Sequence, residues 1–243
     1  MTDANEAVRA RLTSGRFDFL DFGCGTGSSI ELSKKIFDGQ NGLGLDIDPK
    51  NVEATRAKGF EALTIDVTEM AQFPDAVSFS VMSHFLGHLS GYQLALRCIA
   101  GAGAASRDFV FIRKPWFDSD PELARVGLKL FWSDWAGHSY KMTTLDFCRA
   151  IRDVKNGKIM SWGLFGYRQI LDSGDQAVHP LSSPPGQSLF EERKHSRKLN
   201  LVLLSPAYAE TVCVIQLSKD FPVERVISRF YPNTHTLPHH HFF

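Results

Sequence analysis

Cysteine is scarce in this chain: four residues in 243, Cys24, Cys98, Cys148 and Cys213, with no Cys-x-x-Cys pair and no Cys/His spacing of the zinc type. That scatter gives neither a disulfide framework nor a metal centre, and reduced, buried thiols in a cytoplasmic protein are the expectation. No apolar run approaches the roughly 18 residues that span a bilayer. The N-terminal MTDANEAVRARLTSG lacks the apolar stretch of a secretory signal. Net charge is also missing, because 27 basic residues balance 27 acidic ones. The whole molecule therefore has no electrostatic pull toward nucleic acid or an anionic membrane, and only a local patch would supply one. No internal repeat is visible.

What is present is a chain with 43% hydrophobic residues, enough to bury a full core and to exclude general disorder. Short apolar runs alternate with helix-like segments. Phe17–Phe22 reads as a strand, followed by the glycine turn and the helix-like SSIELSKKIF. GLGLDI is a second strand, before a helix that Asp48 caps, Pro49 opens and Gly59 closes. EALTIDV, AVSFSVMSHF and DFVFIRKPWF are further strands, with GYQLALRCIAGAGAA as a helix between the last two. This alternation predicts parallel βα units in a doubly wound sheet with helices on both faces.

The second half is less regular. Glu122 to Val154 reads as mostly helical with a break at DWAGHSY, and KIMSWGLFGYRQIL and ETVCVIQLS read as two long strands able to pair antiparallel. A polar, Pro-rich stretch, Asp172 to Leu199, separates them, and THTLPHHHFF reads as a flexible end.

The glycine turn FGCGTG raises the question of its ligand: a dinucleotide, a phosphate, or a group without phosphate. Glycines there permit unusual backbone angles and close approach to free N–H groups at a helix N-terminus. The dinucleotide pattern G-x-G-x-x-G is not met, since Ser28 or Ile30 falls where the third glycine belongs. Asp21, just before the turn, would repel a pyrophosphate and suits a ligand carrying positive charge. A P-loop is excluded because no Gly-Lys-Ser/Thr follows.

At this point LDFGCGTG resembles the first motif of the class I S-adenosylmethionine-dependent methyltransferases. The resemblance continues in order through GLGLDIDP, LTIDV and SVMSHFLGHL, and covers roughly residues 17–117. It implies that Asp21 and the turn of Gly23, Gly25 and Gly27 hold the methionine and ribose part of S-adenosylmethionine. Asp46, about 20 residues past the turn, would accept bonds from both ribose hydroxyls. Ile47 would pack on adenine, Asp66 would meet the adenine amino group, Val67 would offer its backbone N–H, and Ser83 would complete the cofactor set. The implied fold is an α/β, doubly wound, mostly parallel seven-stranded sheet of the Rossmann-like methyltransferase type. Its last strand is antiparallel, and helical and loop insertions in the second half cover the site. One domain over residues 1–243 is expected, with a cofactor half (17–117), an acceptor-side half (118–220) and a tail (221–243).

Methyl transfer requires alignment and exclusion of water, and an alcohol or phenol acceptor also gives up a proton. Histidine suits that task near neutral pH. The strand-end rule places the acceptor near Ser83–His88 and Lys114–Phe117. His84 and His88 stand four apart and would share a face if the segment were helical. HFLGH lacks the Glu that a zinc protease places beside its first His, so no metal is expected. FWSDWAGHSYKM adds His138 to the candidates, as either a packed aromatic segment or a substrate lid. EERKHSRK is a solvated loop or a site for an anionic acceptor.

Base-amino, arginine and magnesium-dependent catechol methyltransferases are disfavoured by missing signatures. No [DNS]-P-P-aromatic ends the fourth strand, no glutamate pair follows it, and no Asp lies in SFSVMSHF. A small-molecule acceptor, methylated at oxygen, is the resulting expectation. The competing readings are a nucleic-acid or protein methyltransferase and a SAM-binding module without turnover.

Overall fold

The computed structural model describes residues 3–154, 157–187, 190–230 and 238–241. After helix α1 (Asp3–Leu12), the alternation begins with β1 (Phe19–Phe22), α2 (Ser28–Phe37), β2 (Gly42–Asp46), α3 (Pro49–Ala57) and β3 (Glu61–Thr64). A 3-10 turn at Val67–Gln72 leads to β4 (Val77–Ser83), α4 (Tyr92–Ala105) and β5 (Ser106–Pro115). As expected, Asp48 caps α3, accepting from Lys50 N, with Pro49 in the first turn. The serines of α2 do not cap it; Gly27 occupies that position without a side-chain bond.

The second half comprises α5 (Asp120–Arg125), β6 (Leu128–Leu130), α6 (Thr144–Asp153), β7 (Ser161–Asp172), β8 (Val178–Pro180), β9 (Val202–Gln216), α7 (Val223–Phe230) and β10 (Pro238–His241). The main sheet has the order β10-β7-β9-β5-β4-β1-β2-β3. β1 pairs parallel with both β2 and β4, so the chain winds outward in both directions from β1. That reversal opens a crevice at the carboxyl ends of β1 and β4. β9 runs antiparallel to β5 and β7, which completes the seven strands with the last one reversed.

Two expectations are corrected. Glu122–Val154 is not mostly helical: α5 stops after six residues at Gly127, which has φ +72, and Leu128–Leu130 instead pairs with Val178–Pro180. That partner lies 50 residues away, so tertiary pairing overrides local propensity here. THTLPHHHFF is not wholly a loose end either, since β10 adds an eighth strand antiparallel to β7.

Phenylalanine organises one face of the sheet. Phe19, Phe79 and Phe109 sit side by side on β1, β4 and β5, with ring centroids 5.0 and 4.8 Å apart and planes within 11°. Phe37 of α2 meets Phe79 and Phe109 edge-on, so the helix locks onto a stacked cross-strand row. The opposite face packs on α1, α4 and α6, and a third apolar cluster of Trp116, Phe117, Trp132 and Tyr208 packs with the paired strands β6 and β8. Among the described residues no helix is long and apolar enough to cross a membrane.

Candidate active site

Gly23, Gly25 and Gly27 all take left-handed angles, with φ of +67°, +52° and +86°. Other residues are strained there, which explains the glycine spacing. Gly23 N and Cys24 N donate to Leu45 O at 2.8 and 3.0 Å, pinning the turn against the tip of β2. Asp46 completes that joint: Oδ2 accepts from Gly25 N at 2.9 Å, and Oδ1 from Asp48 N at 2.9 Å and Asn51 Nδ2 at 3.3 Å.

A cavity of about 700 Å³ opens over this joint. Its walls are the glycine turn, Asp46–Asp48, Asp66–Thr68, Ser83–Phe85 and His88. The Ile47 side chain lines the cavity and is 70% accessible. Asp66 Oδ1 accepts from Thr68 N at 2.9 Å, and Ser83 Oγ accepts from Arg113 Nε at 2.7 Å.

Asp21 does not line the cavity; it is fully buried. Ser29 Oγ donates to its Oδ2, while Oδ1 has no hydrogen-bond partner among the described residues. Burial lifts its carboxyl to about 7, with Ser29 opposing, Asp46 adding and Arg113 opposing. These residues fit S-adenosylmethionine. The Asp46 carboxylate has one lone-pair position left and one long bond to exchange, suiting a diol. A Cβ on Gly25 would meet nothing within 4 Å, so the turn presents open backbone to a ligand.

A second cavity of about 330 Å³ adjoins the first. His84 and His88 belong to both, and Phe131, Trp132, Trp135 and His138 wall the second from the cover, opposite Glu210. The three histidines singled out in the sequence thus converge, though not on a helix face. Leu86–His88 is a single 3-10 turn, and His84 has φ +55° with its N–H bonded to Arg113 O at 2.9 Å. A non-glycine residue in this region is strained and is held there by its surroundings.

Each ring has a defined partner. His88 Nδ1 donates to Gly137 O at 2.7 Å and His138 Nδ1 to Trp132 O at 2.9 Å, because a carbonyl only accepts. Burial holds His138 below the ordinary imidazole range against the Trp132 bond, and the neighbouring His88 and His84 add to the lowering. His84 Nε2 lies 3.1 Å from Glu210 Oε1. Glu210 escaped the sequence reading. One signal points to it: it begins ETVCVIQLS, and a reversed strand brings its first residues to the carboxyl ends of its parallel neighbours, here opposite Pro115.

EERKHSRK is no anion site in the cavities described. Lys194 pairs with Glu191, Lys198 Nζ donates to Asp175 O and Val178 O, and His195 is buried. Among the described residues no group of three or more His, Cys, Asp or Glu is placed to hold a metal ion.

Residues 20–102 match a family model described as a methyltransferase domain. No curated protein matches the chain by sequence. Among solved structures, a SAM-dependent methyltransferase from Archaeoglobus fulgidus is similar at 18% identity and TM-score 0.56, over 87% of this chain and 93% of that one. A Haloferax volcanii methyltransferase in complex with a methyltransferase activator is similar at 12% identity and TM-score 0.50, over 88% and 94%. The glycine turn, the switch-point cavity, the methyltransferase-domain match over residues 20–102 and the likeness to these structures define the fold as that of a Rossmann-like methyltransferase.

Proposed function

We propose that the protein methylates a hydroxyl oxygen on a small, ring-sized molecule bound in the second cavity. The observation that carries this reading is the shared wall: His84 and His88 line both cavities and so reach cofactor and acceptor together. When bound, S-adenosylmethionine supplies a sulfonium methyl, whose displacement by oxygen forms an O–CH3 bond, breaks the S–CH3 bond and leaves a neutral thioether.

Asp46 holds the ribose, Ile47 and Val67 the adenine ring, Asp66 its amino group, and Ser83 and the glycine turn the methionine end, while Asp21 lies buried outside the cavity lining and supports the turn through Ser29. Residues 17–117 thereby serve the cofactor, and 118–220 supply the acceptor side of a single cytoplasmic enzyme. Phe131, Trp132 and Trp135 offer flat apolar walls to a ring and exclude water from it. No lysine or arginine lines this cavity among the described residues, which argues against phosphate, carboxylate or nucleic-acid acceptors. His84, His88 and His138 are the groups available to take the hydroxyl proton.

Calorimetric titration with S-adenosylhomocysteine, with NADH alongside and Asp46→Ala as control, tests the cofactor half. A screen of hydroxylated ring compounds with labelled S-adenosylmethionine tests the acceptor half. Labelling of RNA or of a protein instead would replace the proposed acceptor, and binding without any labelling would make the chain a SAM-binding module.

A further inference from the structure

We propose that Glu210 is the positioning residue that selects His84, among the three imidazoles, as the proton acceptor of the site. The inference rests on the methyl-transfer reading above and names the pair within it that manages the proton.

His88 and His138 both face backbone carbonyls, which orient a ring but carry no charge to balance an imidazolium. His84 alone faces a carboxylate, with Nε2 3.1 Å from Glu210 Oε1. The carboxylate can only accept, so Nε2 carries the hydrogen and Nδ1 is the basic atom of the neutral ring. Two constraints from neighbouring strands fix this geometry. Arg113 of β5 pins the His84 backbone in its left-handed conformation, and Glu210 enters from β9, two positions along the same ladder.

Burial acts to raise the Glu210 carboxyl. The His84 hydrogen bond and the charges of Arg113, His84 and Arg168 outweigh it, so the net direction is down and the group is ionised. Its Oε2 accepts no hydrogen bond among the described residues, with Arg113 Nη1 3.7 Å away. The charge balance of the reaction gives this carboxylate its use. The O–H bond breaks, its electron pair stays on oxygen, and the proton moves to His84 Nδ1. The site holds one extra positive charge before and after the reaction, at sulfur first and on the imidazole afterwards. Only at His84 does that second cation stand beside a partly buried anion.

The test follows the Glu210 carboxyl by carbon NMR in glutamate-labelled protein, with and without S-adenosylhomocysteine. The expected result is a titration midpoint below that of an ordinary glutamate, moving up by about one pH unit in His84→Gln, where Arg113 remains. His88→Gln is expected to leave it in place. Coupling between two groups is reciprocal, so the measured shift is also the support that Glu210 gives to a protonated His84. An ordinary midpoint in the wild type, or one unmoved by His84→Gln, would overturn the inference. The readout requires no turnover: failure of S-adenosylhomocysteine to bind would sink the methyl-transfer reading and leave the carboxyl titration to decide the pair.

Discussion

Asp46 Oδ2 accepts the Gly25 N–H at 2.9 Å, so the tip of β2 and the turn after β1 are held as one unit, 21 residues apart in the chain. The same carboxylate fixes the start of the next segment through Asp48 N and Asn51 Nδ2. It therefore shapes the cavity as well as offering it an acceptor. Asp46→Ala is expected to weaken S-adenosylhomocysteine binding roughly 10- to 100-fold, the loss of hydrogen bonds to a charged group. Asn51→Ala, which removes only the longest of the three bonds, is expected to change it less than about threefold. Calorimetry on both variants checks the pair, and equal losses would show that Asp46 acts through loop order alone.

Asp21 makes stability depend on pH in an unusual direction for a carboxylate. Its folded value of about 7 lies above the ordinary 3.8, chiefly because the group is fully buried. Between those values the folded chain holds a proton that the unfolded chain has released. Its contribution is thus complete below about pH 4 and declines as pH rises to about 7, by on the order of 4 kcal/mol at most. Asp21→Asn, which stays neutral throughout, is expected to flatten the fall in Tm between pH 5 and pH 8. A wild-type Tm that rises across this interval, with the variant following it, would count against a protonated Asp21.

Lys114 shows the converse sign. Its ammonium is fully buried, with Nζ donating to Pro115 O at 2.9 Å and to Thr211 Oγ1 at 3.4 Å. Burial lowers it to about 7 from 10.5, while Asp118, Asp146 and Asp120 partly offset the shift. The unfolded chain then binds more protons between pH 7 and pH 10.5, so this residue's contribution grows with pH over that range and is smallest below it. Lys114→Met keeps the length of the side chain and removes the buried charge. Thermal melts at pH 6.5 are expected to show a higher Tm for the variant, by a few degrees, with the gap closing toward pH 10. A lower Tm at both values would mean that the two hydrogen bonds outweigh the cost of burying the ammonium.

The parallel half of the sheet, with its glycine turn, was legible because its signals are local. Each acid of the glycine-turn series follows a short apolar run, so Asp21, Asp46 and Asp66 could be placed before any contact was known. The second half depends on pairings that no local pattern carries. Leu128–Leu130 becomes a strand only against Val178–Pro180, and Glu210 reaches His84 only because β9 runs backwards along β5. The four-residue spacing of His84 and His88 suggested a helix face, whereas a left-handed residue at His84 and one 3-10 turn bring the rings to a common wall. The row of Phe19, Phe79 and Phe109 was hidden for the same reason, since it exists only in the register of three strands.

Gly23 carries two separable constraints, and its substitution reads both. Its φ of +67° disfavours any side chain, and a Cβ there would lie 2.1 Å from Cδ2 of Phe85, whose ring rests on the turn. The first constraint is backbone strain of about 1–2 kcal/mol. The second is a steric overlap that no small adjustment of the turn relieves, because Gly23 N is bonded to Leu45 O. Gly23→Ala is therefore expected to lower Tm by more than backbone strain alone would. Phe85→Ala in the same chain removes the obstructing ring and should recover the steric part, leaving the backbone part. In a double-mutant cycle by chemical denaturation, the combined variant is expected to be more stable than the sum of the single losses predicts. Strict additivity would mean that Phe85 swings away from the turn without cost, and that its packing on Gly23 contributes nothing to holding the glycine loop in shape.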